Sequence, residues 1–228
     1  MFNPKYKLIE DKKKIFFGRS KSRALSKSKK FFYDNHKKDF LVNFEEIKLV
    51  KNKDFVLEIG FGLGENLLFQ ASTYSKDHFI GVDPFINGVA NVVQKAKELN
   101  LNNISILDIP VQKVIDSFLD NFFSKVFVLF PDPWMKNKQK KRRLLNYLFL
   151  EKILKKMKIK STLIFVTDDQ DYFNYVVKEI SLLKKKTDAF EYSLTNKHPI
   201  VDTKYSNKAN KLKKDIYFLN LDKLKNVA

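Results

Sequence analysis

Apolar and polar positions along this chain follow two alternating patterns. Short apolar runs rich in β-branched and aromatic residues recur at 55–59, 79–83, 104–107, 126–130 and 162–166, each too short for a helix. Between them, over 65–74, 86–99, 144–157 and 172–183, apolar residues return every three or four positions. The first pattern predicts buried strands and the second amphipathic helices. Strands and helices in succession predict an α/β fold, doubly wound, with a mostly parallel sheet of about seven strands covered on both faces. The tail over 190–221 reads as strand-rich, with Ile216, Tyr217, Phe218 and Leu219 its strongest segment. Upstream, 31–50 has roughly helical spacing and is expected to form a helix leading into the core. No internal repeat is visible.

Composition sharpens this picture. At 228 residues, 44% of them hydrophobic and 22 of them Phe, the chain can bury a substantial core and is not disordered throughout. The formal net charge of +18 favours polyanionic partners. A lysine-rich compositional bias is the alternative source of that charge, but it does not account for clustering. From Met1 to Lys53 there are 16 Lys and Arg against 6 Asp and Glu. Residues 1–30 are accordingly read as a basic arm, loose or ordered only on a partner, and 31–228 as the folded domain. The absence of cysteine excludes disulfides and thiolate metal sites. His36, His78 and His198 are scattered, so no metal site is expected. No apolar run approaches membrane-spanning length, and the N-terminus lacks the apolar core of a signal peptide. The expectation is a soluble, cytoplasmic protein without a membrane partner.

The densest chemical signal lies over 130–143, reading F-P-D-P-W-M-K-N-K-Q-K-K-R-R. Two prolines bracket Asp132, so the backbone there has fixed φ and lacks two N–H donors. A carboxylate and the indole of Trp134 are thus held stiffly where a strand ends. Lys136, Lys138, Lys140, Lys141, Arg142 and Arg143 follow with no acid among them. A rigid acid and aromatic beside a positive patch suit a planar group attached to a polyanion, which points to a nucleic-acid base. Trp134 either stacks on that base, walls its pocket or packs in the core. The cations over 140–143 are expected to grip phosphates, the alternative being a solvated helix start, which the helix dipole disfavours for cations.

A second signal is the loop Glu58-Ile59-Gly60-Phe61-Gly62-Leu63-Gly64 between the first predicted strand and the helix after it. Glycines there let the backbone turn tightly and approach a ligand. The spacing does not match G-x-G-x-x-G, because Glu65 stands three after Gly62 and Leu67 three after Gly64. It fits a loop holding a small amino-acid moiety better than one receiving a pyrophosphate. Asp83 ends the second predicted strand, where a carboxylate can accept both hydroxyls of a ribose. Asp108 follows the third, where it can accept from an adenine amino group. Glu58, Asp83, Asp108 and Asp132 thus stand at four successive strand ends, outside which open α/β sheets bind ligands.

With these residues in view, the chain resembles the class I S-adenosylmethionine-dependent methyltransferases, which have a Rossmann-like fold. The run Phe130-Pro131-Asp132-Pro133-Trp134-Met135-Lys136, with Lys141-Arg142-Arg143, is similar to the tRNA (guanine-N7-)-methyltransferases. The resemblance covers about 15–220. It implies S-adenosyl-L-methionine as cofactor, bound by Glu58, Gly60, Gly62, Gly64, Asp83, Asp108 and Asp132, with Asp132 also the catalytic acid. It implies tRNA as partner, a guanosine at position 46 of the variable loop as target, and substrate contacts from Lys136, Asp168, Thr203, Lys204, Tyr205 and Ser206. The protein would act as monomer or homodimer. Gln139 departs from the family's usual His, and Ser206 from its usual Glu.

Two other readings compete. A methyltransferase of the same fold acting on a small molecule or protein would need neither the basic arm nor the cations after Trp134. A non-enzymatic RNA-binding protein would need neither the glycine loop nor four strand-end acids.

Overall fold

The computed structural model describes residues 24–47, 50, 52–195, 209, 211 and 214–227. Its strands are β1 (Phe55–Ile59), β2 (His78–Val82), β3 (Ile104–Leu107), β4 (Phe123–Leu129), β5 (Met157–Thr167), β6 (Phe190–Thr195) and β7 (Tyr217–Lys223). They form one sheet in the order β3-β2-β1-β4-β5-β7-β6. The first five run parallel, and β7 runs antiparallel between β5 and β6. The order reverses between β1 and β4, so the carboxyl ends of both strands border one crevice.

Parallel strands buried on both faces read as continuous apolar runs, and their alternate side chains feed two cores. Leu57, Ile59, Val126 and Val128 join one cluster with Phe149, Leu150 and Ile153 of α6 (Tyr147–Lys156) and Val176 and Ile180 of α7 (Gln170–Lys184). The short α5 (Val111–Val114) adds Val111 and Val114 to that face. Val56, Phe127 and Ile164 point the other way. They join Tyr33 of α1 (Lys27–His36), Leu67 and Ala71 of α3 (Glu65–Thr73), and Val89 and Val93 of α4 (Ile86–Glu98).

Two expectations change. The segment 31–50 is not one helix. It comprises α1, a 3₁₀ turn at Lys37–Asp39 and the four-residue α2 (Phe44–Ile47). Ser26 caps α1 by accepting from the Lys29 N–H at 3.3 Å, so the helix begins inside the stretch read as an arm. The break comes from the sheet. Ile106 N–H donates to the Phe40 carbonyl at 2.8 Å and Val42 N–H to the Ile106 carbonyl at 3.2 Å, extending the β3 edge. Second, α6 begins at Tyr147 rather than 144. The Leu144 and Leu145 N–H groups donate to the Tyr172 hydroxyl, at 3.1 and 3.3 Å, and Asn146 caps the helix through the Phe149 N–H at 3.1 Å. Among the described residues, no helix is long and apolar enough to cross a membrane.

Candidate active site

The glycine loop leaves β1 in a left-handed turn. Gly60 has φ 72° and Gly64 φ 81°, a region costly for residues bearing a Cβ. Their surroundings differ. A Cβ on Gly64 would stand 2.1 Å from Val92 Cγ2 of α4, whereas one on Gly60 would meet nothing within 4 Å. The loop is pinned behind, with Asn91 Nδ2 donating to the Leu63 carbonyl at 2.8 Å, and open in front of Gly60. Gly88 was missed from sequence: a Cβ there would lie 1.8 Å from the Gly62 carbonyl oxygen, so α4 seats the loop only if this residue is glycine.

The acids surround that opening unequally. Glu58 is 4% exposed, and burial pushes its carboxyl up to about 8, despite the Asn66 Nδ2 donating to it at 2.9 Å. Asp83 is buried too. Its Oδ2 accepts from Gly62 N–H at 2.8 Å and its Oδ1 from Phe85 N–H at 2.9 Å. Burial still raises its pKa, and the negative charge of Asp132 pushes the same way, which puts the β2 and β4 strand ends within electrostatic reach. Asp108 is exposed at the end of β3. It faces α1: burial raises the Tyr33 pKa, and the Asp108 charge adds to it.

The turn after β4 is strained at both ends, with φ 47° at Phe130 and 50° at Trp134. Both are bulky residues for which the left-handed region is unusual. Phe130 N–H donates to the Val166 carbonyl at 2.7 Å, anchoring the turn to β5. Asp132 is exposed between its prolines, and half-buried Trp134 lies beneath the Arg142 guanidinium, 5.0 Å from the ring centre. The basic run forms a 3₁₀ helix, Asn137–Arg142, separate from the start of α6. Its cations divide. Lys136, Lys138 and Lys141 are exposed, while Arg143 is 3% exposed and occupied by protein partners. Lys140 Nζ lies 2.9 Å from the Asp171 carboxylate. A phosphate role for Arg143 is therefore withdrawn, because its guanidinium does not reach solvent.

Asp168 follows β5 and pairs with Lys214, Nζ to Oδ2 at 3.1 Å, while Asp169 caps α7 through the Tyr172 N–H at 2.7 Å. Thr203, Lys204, Tyr205 and Ser206 lie outside the described residues. The strand ends thus bring together Glu58, Asp83 and Asp132 around the glycine opening, with Asp108 toward α1 and Asp168 at the next strand.

A family model described as "Putative methyltransferase" matches residues 52–219. The chain belongs to this methyltransferase family. It is 36% identical over 160 residues to the tRNA (guanine-N(7)-)-methyltransferase of Wolbachia pipientis wMel, covering 68% of this chain and 72% of that one. It is also 36% identical over 157 residues to the bifunctional methyltransferase of Rickettsia prowazekii, covering 69% of this chain but 30% of that longer protein. The solved structure of an antibiotic-related methyltransferase superposes with a TM-score of 0.55 at 17% identity, covering 90% of this chain and 98% of that one. At that identity the likeness concerns the fold, which is the Rossmann-like class I methyltransferase fold.

The methyl donor of the class, S-adenosyl-L-methionine, fits the residues present. The space in front of Gly60 is open to a ligand, and a Cβ there would enter it. A buried carboxyl with acids around it suits a cationic ligand, and acids ending β2 and β3 suit hydroxyl and amino donors.

Proposed function

We propose that this chain transfers the methyl group of S-adenosyl-L-methionine to N7 of a guanosine in tRNA, at position 46 of the variable loop. One observation carries the reading: the proline-bracketed Asp132–Trp134 turn and the exposed lysines after it leave the carboxyl end of β4, beside the glycine loop at the carboxyl end of the neighbouring parallel strand β1. Identity to a relative named for this reaction supports it. The donor supplies an electrophilic methyl group. Glu58, Gly60, Gly62, Gly64, Asp83 and Asp108 hold it. Guanine N7 carries an in-plane lone pair, so no proton has to leave before transfer. The protein's tasks are alignment and tolerance of the positive charge that develops on the purine. Asp132, fixed and exposed, orients the base and offsets that charge, with Trp134 as wall or stacking partner.

Lys136, Lys138 and Lys141 face solvent, as phosphate contacts require, and the basic arm extends the grip. Asp168, Thr203, Lys204, Tyr205 and Ser206 are the remaining substrate contacts of this reading. The test is transfer of labelled methyl from the donor to unmodified tRNA, with the product nucleoside identified by mass spectrometry. The expected product is 7-methylguanosine, lost when the variable-loop guanosine is replaced. Donor binding without transfer would overturn the tRNA assignment, and absence of donor binding would leave an RNA-binding role only.

A further inference from the structure

The sheltered Arg143 joins two turns that both face the site. Its Nε donates to the Pro133 carbonyl at 2.8 Å, one residue from Asp132 and one from Trp134. Its Nη1 reaches the Asp171 carbonyl at 3.3 Å, and its Nη2 pairs with the Asp171 carboxylate in the first turn of α7. The guanidinium lies 4.9 Å from the Tyr172 ring centre and 5.1 Å from that of Tyr175. Tyr172 is itself held, its hydroxyl accepting from Leu144 and Leu145. Asp171 stands three residues beyond Asp168 on the turn after β5. One planar cation thus ties the β4 turn to the first turn of α7, which follows the turn carrying Asp168 after the neighbouring strand β5.

We propose that Arg143, clamped by Asp171, is a positioning residue that fixes the Pro131–Trp134 turn, and through it Asp132, against the turn carrying Asp168. The kinetic consequence rests on the proposed guanosine methylation; the structural one does not. The role needs arginine. A lysine at 143 keeps the charge but has one nitrogen where the arginine fork serves a carbonyl and a carboxylate at once. Asp171 is set for the task, since its bonds to Lys140 and Arg143 hold its carboxyl below the usual carboxylate range. The prolines of the motif stiffen the backbone locally, whereas the Arg143 strut sets where that stiff piece sits.

The test compares Arg143→Lys and Asp171→Asn with the wild type in the full chain. Trp134 is the only tryptophan, so its emission reports on the turn without any assay of activity. Both variants should shift that emission to the red and make it more accessible to acrylamide. With unmodified tRNA, kcat should fall about tenfold to a hundredfold, because small misplacements of a reacting group cost this much, while KM for tRNA stays near the wild-type value. The salt dependence of tRNA binding should keep its slope. Asp171 is 57% exposed, so Asp171→Asn retains the fold even where Arg143→Lys loses it. Wild-type emission and kcat in Arg143→Lys would overturn the proposal. So would a higher KM with unchanged kcat and a salt slope smaller by about one, the mark of a lost phosphate contact. If the wild type methylates no tRNA guanosine, the functional reading fails and Trp134 emission alone decides the strut.

Discussion

Asp132 and Glu58 are both acids at strand ends, yet their surroundings assign them different work. Asp132 is exposed and backed by two prolines, so a change at its carboxylate alters charge with little disturbance of packing. Asp132→Asn should lower turnover about a hundredfold with the melting temperature unchanged, as expected when one fixed electrostatic contact is lost. Rates of 7-methylguanosine formation, set beside thermal melts, check this. Glu58 is buried and raised to about 8 from an ordinary 4.5, so it is mostly protonated at pH 7 without ligand. Its folded-state pKa lies above its unfolded value, so its contribution to stability is complete below about 4.5 and declines as pH rises toward 8. A cationic donor favours the ionised form, so binding should release a proton below pH 8. Donor affinity should climb by up to about tenfold per pH unit between 6 and 8, and Glu58→Gln should flatten that slope. Calorimetry in buffers of different ionisation heat counts the proton directly.

At the scale of elements, the glycine loop shows how one motif carries two constraints. Gly64 packs against α4, so Gly64→Ala meets Val92 and also keeps a left-handed φ. Overpacking of this kind costs about 1–3 kcal/mol, and the backbone adds about 1–2 kcal/mol. Gly60→Ala carries only the backbone part, because the space beyond it is open. Gly60→Ala should therefore melt nearer the wild type than Gly64→Ala and still bind the donor poorly. Denaturant titrations paired with donor-binding isotherms separate the two effects. Both glycines were legible from the strand-loop-helix pattern. Their different neighbours were not, because Val92 lies 28 residues further along and meets the loop only after α4 packs.

On the scale of the whole molecule, the charge of +18 bears on the site through the exposed cations that the described residues place there. Lys136, Lys138 and Lys141 are exposed on the 3₁₀ segment and the residue before it, beside the Asp132 turn. Replacing all three by Gln should reduce the slope of log affinity against log salt by roughly two to three, whereas Arg143→Lys leaves it unchanged. Filter binding of tRNA across a salt series measures both. Composition predicts attraction for a polyanion but cannot rank the cations. That ranking depends on Asp171, which sits on α7 and engages both Lys140 and Arg143.

The chain by itself determined the order of strands and helices, the glycine loop, and the acids at successive strand ends. These are local: apolar period, fixed proline geometry and the residues flanking a turn can all be read along one segment. The break of 31–50 was decided elsewhere, since Leu41 bridges Ile106 of β3 through the Phe40 carbonyl and the Val42 N–H. The start of α6 depended on the Tyr172 hydroxyl, and the protonation of Glu58 on how deeply three-dimensional packing buries it. Arg143 makes the same point from the opposite side. Among neighbouring cations it reads as a phosphate ligand, but its bonds to the Pro133 carbonyl and to Asp171 of α7 make it a strut. Periodicity and turn chemistry act over a few residues and are written in the sequence. Burial and pairing join residues dozens apart, and they exist only once the sheet has closed.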